Sequence, residues 1–359
     1  MKKTVIAVLI VSLFASVSGA QMLIGARAAG MGGAGVAVSR DLSAAYYNPA
    51  ALMKASRMGF IASANVSTSG LDQLMTLAAQ AGDPAKFAND NFAKDINVNT
   101  GVSGILGGCF NKVGLSVIPG VTVNLNKPAS SLAANGMAEA KYTGILTMGY
   151  SWGLMGLPSI DIGANLKYLG GLAGKVDVTA NPFTGASGSQ KVENTSGFGV
   201  DIGALATFDI PMVTSLSVGL VGRDLGESIT TTGKTRSLTA PVGSNTLTQG
   251  PEVDIPSTSK SVDPTYILGA SGSIPAIGAV LAGDLESGNG YSNTHFGVEY
   301  PVMMKMLTLR AGIASGTNLS LTTIGAKIGI PFLALNLAYV MDGKISNNNQ
   351  IVFDVAGGI

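Results

Sequence analysis

Charged residues are scarce in this chain. Asp, Glu, Lys and Arg together make up 12% of its 359 residues, against about 25% in soluble domains. Hydrophobic residues make up 46%, and the mean hydropathy is +0.38. So few charges would solvate a water-exposed surface of this size poorly, which indicates a protein in or on a membrane.

Cysteine and histidine each occur once, as Cys109 and His295. One cysteine excludes an intramolecular disulfide, and this pair cannot supply the ligand set of a His/Cys metal site. A serine hydrolase would have to use His295 as its base. The formal net charge of +1 offers no basic surface for nucleic acid. The sequence therefore predicts no cofactor, no metal, no nucleic-acid partner and no enzymatic activity.

The first twenty residues have the composition of a secretory signal peptide. Met1 is followed by two lysines, residues 4–17 are largely apolar, and residues 18–20 are small. This order of charged, apolar and small residues is typical of a cleaved leader. We expect cleavage before Gln21 and export of the mature chain.

From residue 58 to the end, apolar and polar residues alternate in glycine-rich segments. The predicted strands are 58–66, 98–108, 113–125, 138–153, 159–172, 195–209, 214–224, 264–273, 277–286, 294–300, 307–314, 320–329, 333–342 and 350–358. Short connections, several with proline, alternate with longer polar ones such as 67–96, 173–194 and 225–263. An even strand number with this asymmetry is typical of bacterial outer-membrane barrels, whose short turns are periplasmic. The sequence predicts an all-β fold: a transmembrane antiparallel barrel of about 14 strands, with both termini in the periplasm.

Two other folds share parts of this pattern. A soluble β-sandwich shows the same alternation of faces. An α-helical membrane protein is suggested by two charge-free stretches, 142–160 and 265–283, each long enough to span a bilayer. Both stretches contain several glycines and a proline, Pro158 or Pro275, so each is better interpreted as a hairpin around a turn.

Charges inside the predicted strands should point into the barrel. A Lys or Arg on the lipid face at the membrane centre costs about 2 to 4 kcal/mol. The predicted lumen charges are Asp161, Lys167, Asp201, Arg223, Asp284, Glu299, Arg310 and Lys327. We expect them to form structural ion pairs, with Arg27, Arg40 and Asp41 as natural partners.

Residues 21–57, here called the hatch segment, are too small and too polar to form a lipid-facing strand pair. The lumen is the available place for them. Gly30, Gly32 and Gly35 match the spacing of a dinucleotide-binding loop, but no strand precedes them and no acid follows about 20 residues later. Tight packing of a plug, involving Gly33 as well, is the better interpretation.

The hatch segment resembles that of the FadL/TodX superfamily of outer-membrane channels, including its PorV-like and TraF-like branches. The resemblance is carried by Gly25-Ala26-Arg27, by residues 30–35, by Asp41 with residues 43–45, and above all by residues 46–52, Tyr-Tyr-Asn-Pro-Ala-Ala-Leu. It is specific over residues 25–52 and general over the barrel. It implies a hatch role for Asn48, Pro49 and Ala50, and a division into signal peptide 1–20, hatch 21–57 and barrel 58–359.

The resemblance also implies a transport route. Channels of this superfamily take up fatty acids or aromatic hydrocarbons and release them through a side opening at a kinked strand. Pro119 and Gly120 lie inside the predicted third strand, where proline removes a backbone donor and glycine permits a bend. A lateral gap and a plain bulge both fit this pair.

The connection 70–96 has a helical pattern and an apolar face. That face consists of Leu71, Leu74, Met75, Phe87 and Phe92. It either receives hydrophobic ligands or packs against the rim of its own barrel.

The leading hypothesis is a monomeric outer-membrane channel for hydrophobic small molecules, surrounded by outer-membrane lipid and inserted by the outer-membrane assembly machinery. The alternative is a PorV-like accessory barrel that binds a secreted protein and serves protein secretion or conjugative transfer. Neither hypothesis involves enzymatic chemistry.

Overall fold

The structure is a computed structural model that describes residues 23–80, 94–129, 133–153, 158–181, 185–210, 214–242, 248–302, 306–317, 319–344 and 348–359. The predicted signal peptide lies outside these residues. Within them, no helix has both the length and the apolar character needed to cross a membrane.

Short helices precede and follow the first strand. They are α1 Ala26–Ala29, α2 Ala44–Tyr47, a 3-10 helix Pro49–Lys54, and α3 Leu71–Gln80. The strands are β1 Met58–Ser67, β2 Ile96–Phe110, β3 Val113–Lys127, β4 Ala133–Trp152, β5 Ser159–Asn181, β6 Gly185–Ile210, β7 Thr214–Ala240, β8 Thr248–Gln249, β9 Val253–Ser261, β10 Thr265–Ile274, β11 Ala279–Gly288, β12 Tyr291–Val302, β13 Leu307–Gly316, β14 Ser320–Ile330, β15 Leu333–Asp342 and β16 Gln350–Gly358.

Fourteen of these strands close into an antiparallel barrel. Each strand from β1 to β7 and from β10 to β16 pairs with its neighbours in sequence, β7 pairs with β10, and β16 pairs with β1 from Gly59↔Gly358 to Ser67↔Gln350. β8 and β9 pair with β7 outside this ring. The predicted 14-strand barrel is confirmed.

The two ends of the barrel differ. At one end, here called the turn end, neighbouring strands are joined by tight turns such as Asn111-Lys112, whose φ angles of 47° and 78° suit a two-residue hairpin. At the other end, here called the loop end, the longest connections are 68–95 and 241–264, between β1 and β2 and between β7 and β10. β5, β6 and β7 continue past the ring there, so that only residues 182–184 separate β5 from β6.

The wall alternates as a lipid-embedded barrel requires. On β5, Ile160, Ile162 and Leu166 point outward and are exposed, whereas Asp161 and Asn165 are completely buried. Successive side chains of a strand point to opposite faces, so this sequence places its apolar set toward lipid and its polar set toward the lumen.

Aromatic side chains mark the height of the apolar band. Tyr142, Tyr168 and Phe198 lie side by side on β4, β5 and β6, with ring centroids 6.0 and 5.0 Å apart. Phe208 lies ten residues further along β6, toward the turn end. Ten residues span about 34 Å, and a strand tilt of about 40° reduces this to about 26 Å, close to the height of a barrel's lipid-facing band.

The sequence-based strand ends are wrong at the loop end. Residues 173–194 and much of 225–263 were predicted as loops, but β5, β6 and β7 continue as a paired ribbon through them. β6 begins thirteen residues before Phe198, which corresponds to about 44 Å of extended chain. This ribbon lies beyond the aromatic belt and is rich in Gly, Ser, Thr and charged residues, so most of it lacks the apolar alternation on which the prediction relied.

Candidate functional site

The hatch segment lies in the barrel lumen. Leu23, Met31 and Leu42 are among the most buried side chains of the described chain. The segment contacts the inner face of each barrel strand, in strand order at Asn65, Gly107, Gly114, Gly149, Asn165, Ala204, Arg223, Ser271, Asp284, Glu299, Gly312, Thr323, Ala338 and Asp354. The hatch segment therefore contacts all fourteen strands of the ring.

Glycines on both sides allow this close approach. Gly32 and Gly33 have φ angles of +69° and +90°, which L side chains rarely adopt. The backbone of Met31 and Gly32 lies directly on Gly312 of β13, where a Cβ atom would overlap it. The remaining predicted hatch glycines are also in tight positions. A Cβ on Gly35 would meet the Tyr47 ring, and one on Gly30 would come within 3.2 Å of the Gly325 Cα.

A chain of polar contacts fixes helix α1 to four strands. Arg27 pairs with both carboxylate oxygens of Glu299, at 3.0 Å each, and Arg310 Nε donates to Glu299 at 2.8 Å. Arg310 also donates to Asn336 at 2.9 Å, and Asn336 donates to Asp354 at 2.6 Å. The second oxygen of Asp354 accepts the Ala26 N–H at 2.6 Å, so the chain of contacts begins and ends on α1.

Three side chains hold the glycine-rich turn after α1. Asp284 accepts the N–H groups of Gly35 and Val36 at 2.7 and 3.0 Å. Thr323 accepts the Gly32 N–H at 2.9 Å. The Nδ1 atom of His295 lies 2.7 Å from the Gly32 carbonyl oxygen, so this ring nitrogen donates.

Asn48 connects the two halves of the hatch segment. Its side-chain oxygen accepts the Ala50 N–H at 3.0 Å and caps the 3-10 helix, which begins at Pro49. Its Nδ2 group donates to the carbonyl oxygens of Val36 and Ala204, at 3.1 and 3.2 Å. Asn48 is completely buried, and its bonds to Val36 and Ala50 are buried with it.

Substituting Asn48 by alanine is expected to destabilise the folded protein by about 2 kcal/mol, because two buried carbonyl groups and one N–H lose their partner. Urea unfolding of the refolded barrel in detergent measures this change. Asn289→Ala is the control, because Asn289 donates one exposed hydrogen bond to Asp263. Equal stability of Asn48→Ala and wild type would contradict a bridging role for Asn48.

Lys167 lies at the centre of a second group of charges. Its Nζ atom is 2.8 Å from Asp201 and 2.9 Å from Glu227, and it also pairs with Asp224. Register shifts between β6 and β7 at this height, together with the positive φ of Asp224, bring both β7 acids toward Lys167. Bulges commonly re-aim side chains in this way.

One hydrogen bond and one ion pair also join the wall to the hatch segment. The Arg223 guanidinium donates to the Tyr46 carbonyl at 2.9 Å and lies 4.7 Å from its ring centroid. Lys54 pairs with Asp161 at 2.9 Å. Together with the preceding contacts, these involve seven of the eight predicted lumen charges, and the eighth, Lys327, lines a cavity at the turn end.

A cavity lined by both apolar and charged side chains occupies the turn end below the hatch segment. Its volume is about 920 Å³. The charged residues that line it are Arg40, Asp41 and Lys327, together with Arg27, Glu299 and Arg310 from the chain of contacts around α1, and the apolar residues include Phe60, Ile330 and Phe332. In the described part of the chain, no cluster of three His, Cys, Asp or Glu side chains could bind a metal ion.

At the loop end, the predicted ligand-capture residues divide into two groups. Leu74 packs with Leu77, Val98 and Leu125, while Leu71 and Met75 on the same helix are exposed. Phe87 and Phe92 lie outside the described residues. At this end, some apolar side chains of the helix therefore pack against the wall and others are exposed.

The ladder between β2 and β3 is interrupted beside Pro119. Pairing is present at Ser103↔Gly120 and at Leu106↔Val117, and it is absent between these pairs although the register is unchanged. On the lumen side of this stretch, Ile105 and Ile118 belong to the same apolar cluster as Leu42 of the hatch segment. On its other side, β3 pairs with β4 through Pro119↔Tyr142.

No protein-family model and no curated protein matches the sequence. Solved structures do match. The CymD monoaromatic hydrocarbon channel has a TM-score of 0.59 and 12% identity, over 95% of this chain and 99% of that one. The toluene transporter TodX of Pseudomonas putida has a TM-score of 0.57 and 12% identity, over 96% and 98%. The toluene transporter TbuX of Ralstonia pickettii has a TM-score of 0.51 and 11% identity, over 94% and 99%.

The chain has the fold of the monoaromatic hydrocarbon channels. The match covers nearly the full length of both partners, so it includes the segment that precedes the first strand. The resemblance to the FadL/TodX superfamily is confirmed at the level of the fold.

Within this hydrocarbon-channel fold, sequence reasoning missed several neutral contacts to the hatch segment. Asn165 donates to the Ala45 carbonyl at 2.7 Å, Asn65 to that of Leu23 at 2.9 Å, and Ser271 to that of Ala37 at 3.1 Å. Strand parity places such residues inward, but many inward polar residues make no contact with the hatch segment. The alternation therefore gives a set of candidates without selecting among them.

Proposed function

We propose that this protein is an outer-membrane channel that admits hydrophobic small molecules, of the hydrocarbon or long-chain fatty acid type, without reacting with them. The observation that carries the proposal is the full-length fold likeness, hatch segment included, to structures described as hydrocarbon channels and toluene transporters. In this proposal the turn end faces the periplasm, and both chain termini lie on that side.

The energetics of the lumen favour a sideways exit. A route straight through the hatch segment to the turn end would separate part-buried charge pairs such as Arg27 and Glu299, at a cost of up to about 3 kcal/mol for each broken pair. A route toward β2 and β3 displaces apolar contacts among Leu42, Ile105 and Ile118. An apolar ligand replaces such contacts with its own surface, so the second route costs less.

The proposal can be tested by uptake of labelled toluene into cells whose outer membrane carries lipopolysaccharide, with and without this protein. We expect Pro119→Val to reduce the protein-dependent rate about fivefold, since one restored ladder hydrogen bond stabilises the closed wall by about 1 kcal/mol. Pro301→Val is the matched control, because Pro301 lies in β12 where the ladder to β13 is uninterrupted at Pro301↔Thr308.

Uptake that is no faster with the protein than without it would overturn the channel function. Uptake that is faster with the protein, but equal in Pro119→Val and wild type, would keep the channel and exclude an exit at Pro119.

The accessory function has one observation in its favour. The ribbon of β5, β6, β7 and β9 extends far beyond the aromatic belt, and a channel for small molecules has no need of such a surface. A barrel that serves protein secretion would use it to contact a secreted protein. Absence of toluene uptake, together with loss of a secreted protein on deletion of this gene, would favour this second function.

A further inference from the structure

Three serines on the first three strands have buried hydroxyl groups with no hydrogen-bond partner among the residues that the structure describes. These are Ser63 on β1, Ser103 on β2 and Ser116 on β3, here called the serine patch, and each is at least nine-tenths buried. Among the described residues, which include all the strands next to this wall, the side-chain oxygen of Asn65 also has no hydrogen-bond partner.

Strand register places these residues on one stretch of the barrel wall. Ser63 is opposite Ile105, Asn65 is opposite Ser103, and Gly107 is opposite Ser116. Ile105 therefore lies at the centre of the group, and all of it lies on the lumen face because Ile61, Ser63 and Asn65 alternate with more exposed residues on β1. This is the stretch of wall where the β2–β3 ladder is interrupted beside Pro119.

The hatch segment covers this wall with apolar contacts. Leu42 packs with Ile61 and Ile105, and its Cδ2 atom would lie 3.1 Å from a Cβ on Gly107. Other inward polar groups do bond to the hatch segment, as Asn165 and Asp284 do. The hatch segment therefore offers no hydrogen-bond partner to the three hydroxyl groups of the serine patch. Burying a hydroxyl group without a partner lowers the stability of the folded protein.

We propose that the serine patch lines the lateral passage and binds the hydroxyl group of phenol-type molecules as they pass. The proposal rests on the proposed channel function and narrows its substrate class from hydrocarbons to hydroxylated aromatics. A serine hydroxyl both donates and accepts, which matches a phenolic hydroxyl. A passage for bare hydrocarbons would gain nothing from three buried hydroxyls, since alanine would fill the same positions without unsatisfied polar atoms.

The test compares 4-methylphenol with toluene, which have the same ring and methyl group and differ in one hydroxyl. Uptake of each is measured in lipopolysaccharide-bearing cells that carry wild type or the triple variant Ser63→Ala, Ser103→Ala and Ser116→Ala. We expect 4-methylphenol uptake to fall about tenfold in the triple variant, equivalent to about 1.4 kcal/mol, with toluene uptake unchanged.

Ser217→Ala is the matched control, because Ser217 is a buried lumen serine on β7 whose hydroxyl is 3.4 Å from that of Thr207. Thermal unfolding of the purified barrel provides a folding check. The triple variant is expected to be at least as stable as wild type, because the hydroxyls that it loses have no partner.

The outcomes separate the two proposals. If wild type takes up toluene and the triple variant changes neither probe, or both by the same factor, the serine patch does not select hydroxylated molecules and the channel function stands. If wild type takes up neither probe, the channel function fails and this inference fails with it. A selective loss of 4-methylphenol uptake supports both.

Discussion

Cells that carry Gly312→Ala are expected to become permeable to large hydrophilic antibiotics that the wild-type barrel excludes. Gly312 lies against the backbone of Met31 and Gly32, and the two strands beside it contribute Gly297 and Thr323 to the same packing. Backbone atoms cannot rotate away from an added methyl group as a side chain can. The hatch segment must therefore move off β13, and we expect a loss of about 3 kcal/mol of stability from this overpacking.

Vancomycin sensitivity of cells and urea unfolding of the purified barrel measure the two effects. Gly283→Ala is the control, since Gly283 is in β11 and an added Cβ would lie 3.5 Å from its nearest neighbour, the His295 carbonyl oxygen. This control should match wild type in both assays. If Gly312→Ala also matched wild type, the hatch segment would not be held against β13 by this packing.

The barrel itself could be predicted from sequence because its signal is local. Period-2 alternation, broken by turn residues, places each strand, and the bounds of β15 and β16 agree with the prediction at both ends. The physical reason is the lipid, which requires apolar residues at every second position of a crossing strand. Where β6 leaves the lipid that requirement ends, and the prediction fails at the same point.

The contacts of the hatch segment could be predicted only in part. Arg27 was expected to pair with a lumen charge, but the sequence does not distinguish Glu299 from the other acids. That choice depends on the register of β12 against β13, which puts Glu299 opposite Arg310. Asp41, also expected to pair with the wall, instead accepts the N–H of Ser43 in its own turn.

The pairing of Glu299 leads to the second large effect. Substituting Glu299 by glutamine is expected to destabilise the folded barrel by about 3 kcal/mol, the lower end of the range for removing one partner from a buried charge pair, because Glu299 and Arg27 are part-buried. Glu299 is the shared acceptor of Arg27 and Arg310. An amide keeps the size of the side chain but supplies one acceptor and no charge, so two guanidinium groups remain close together in the lumen without a counter-ion.

Urea unfolding of purified variants tests this effect, with Glu252→Gln as the control. Glu252 lies beyond the ring and pairs with Arg236 and Lys234 in water. Hydrogen bonding to Arg236 and Lys234 lowers the pKa of the Glu252 carboxyl, but such an exposed pair contributes little to stability, and no measurable change is expected. The double variant Arg27→Gln with Glu299→Gln removes one of the two unpaired cations and should be more stable than Glu299→Gln alone. If the double variant were less stable than Glu299→Gln, the loss would come from packing in the lumen and not from unpaired charge.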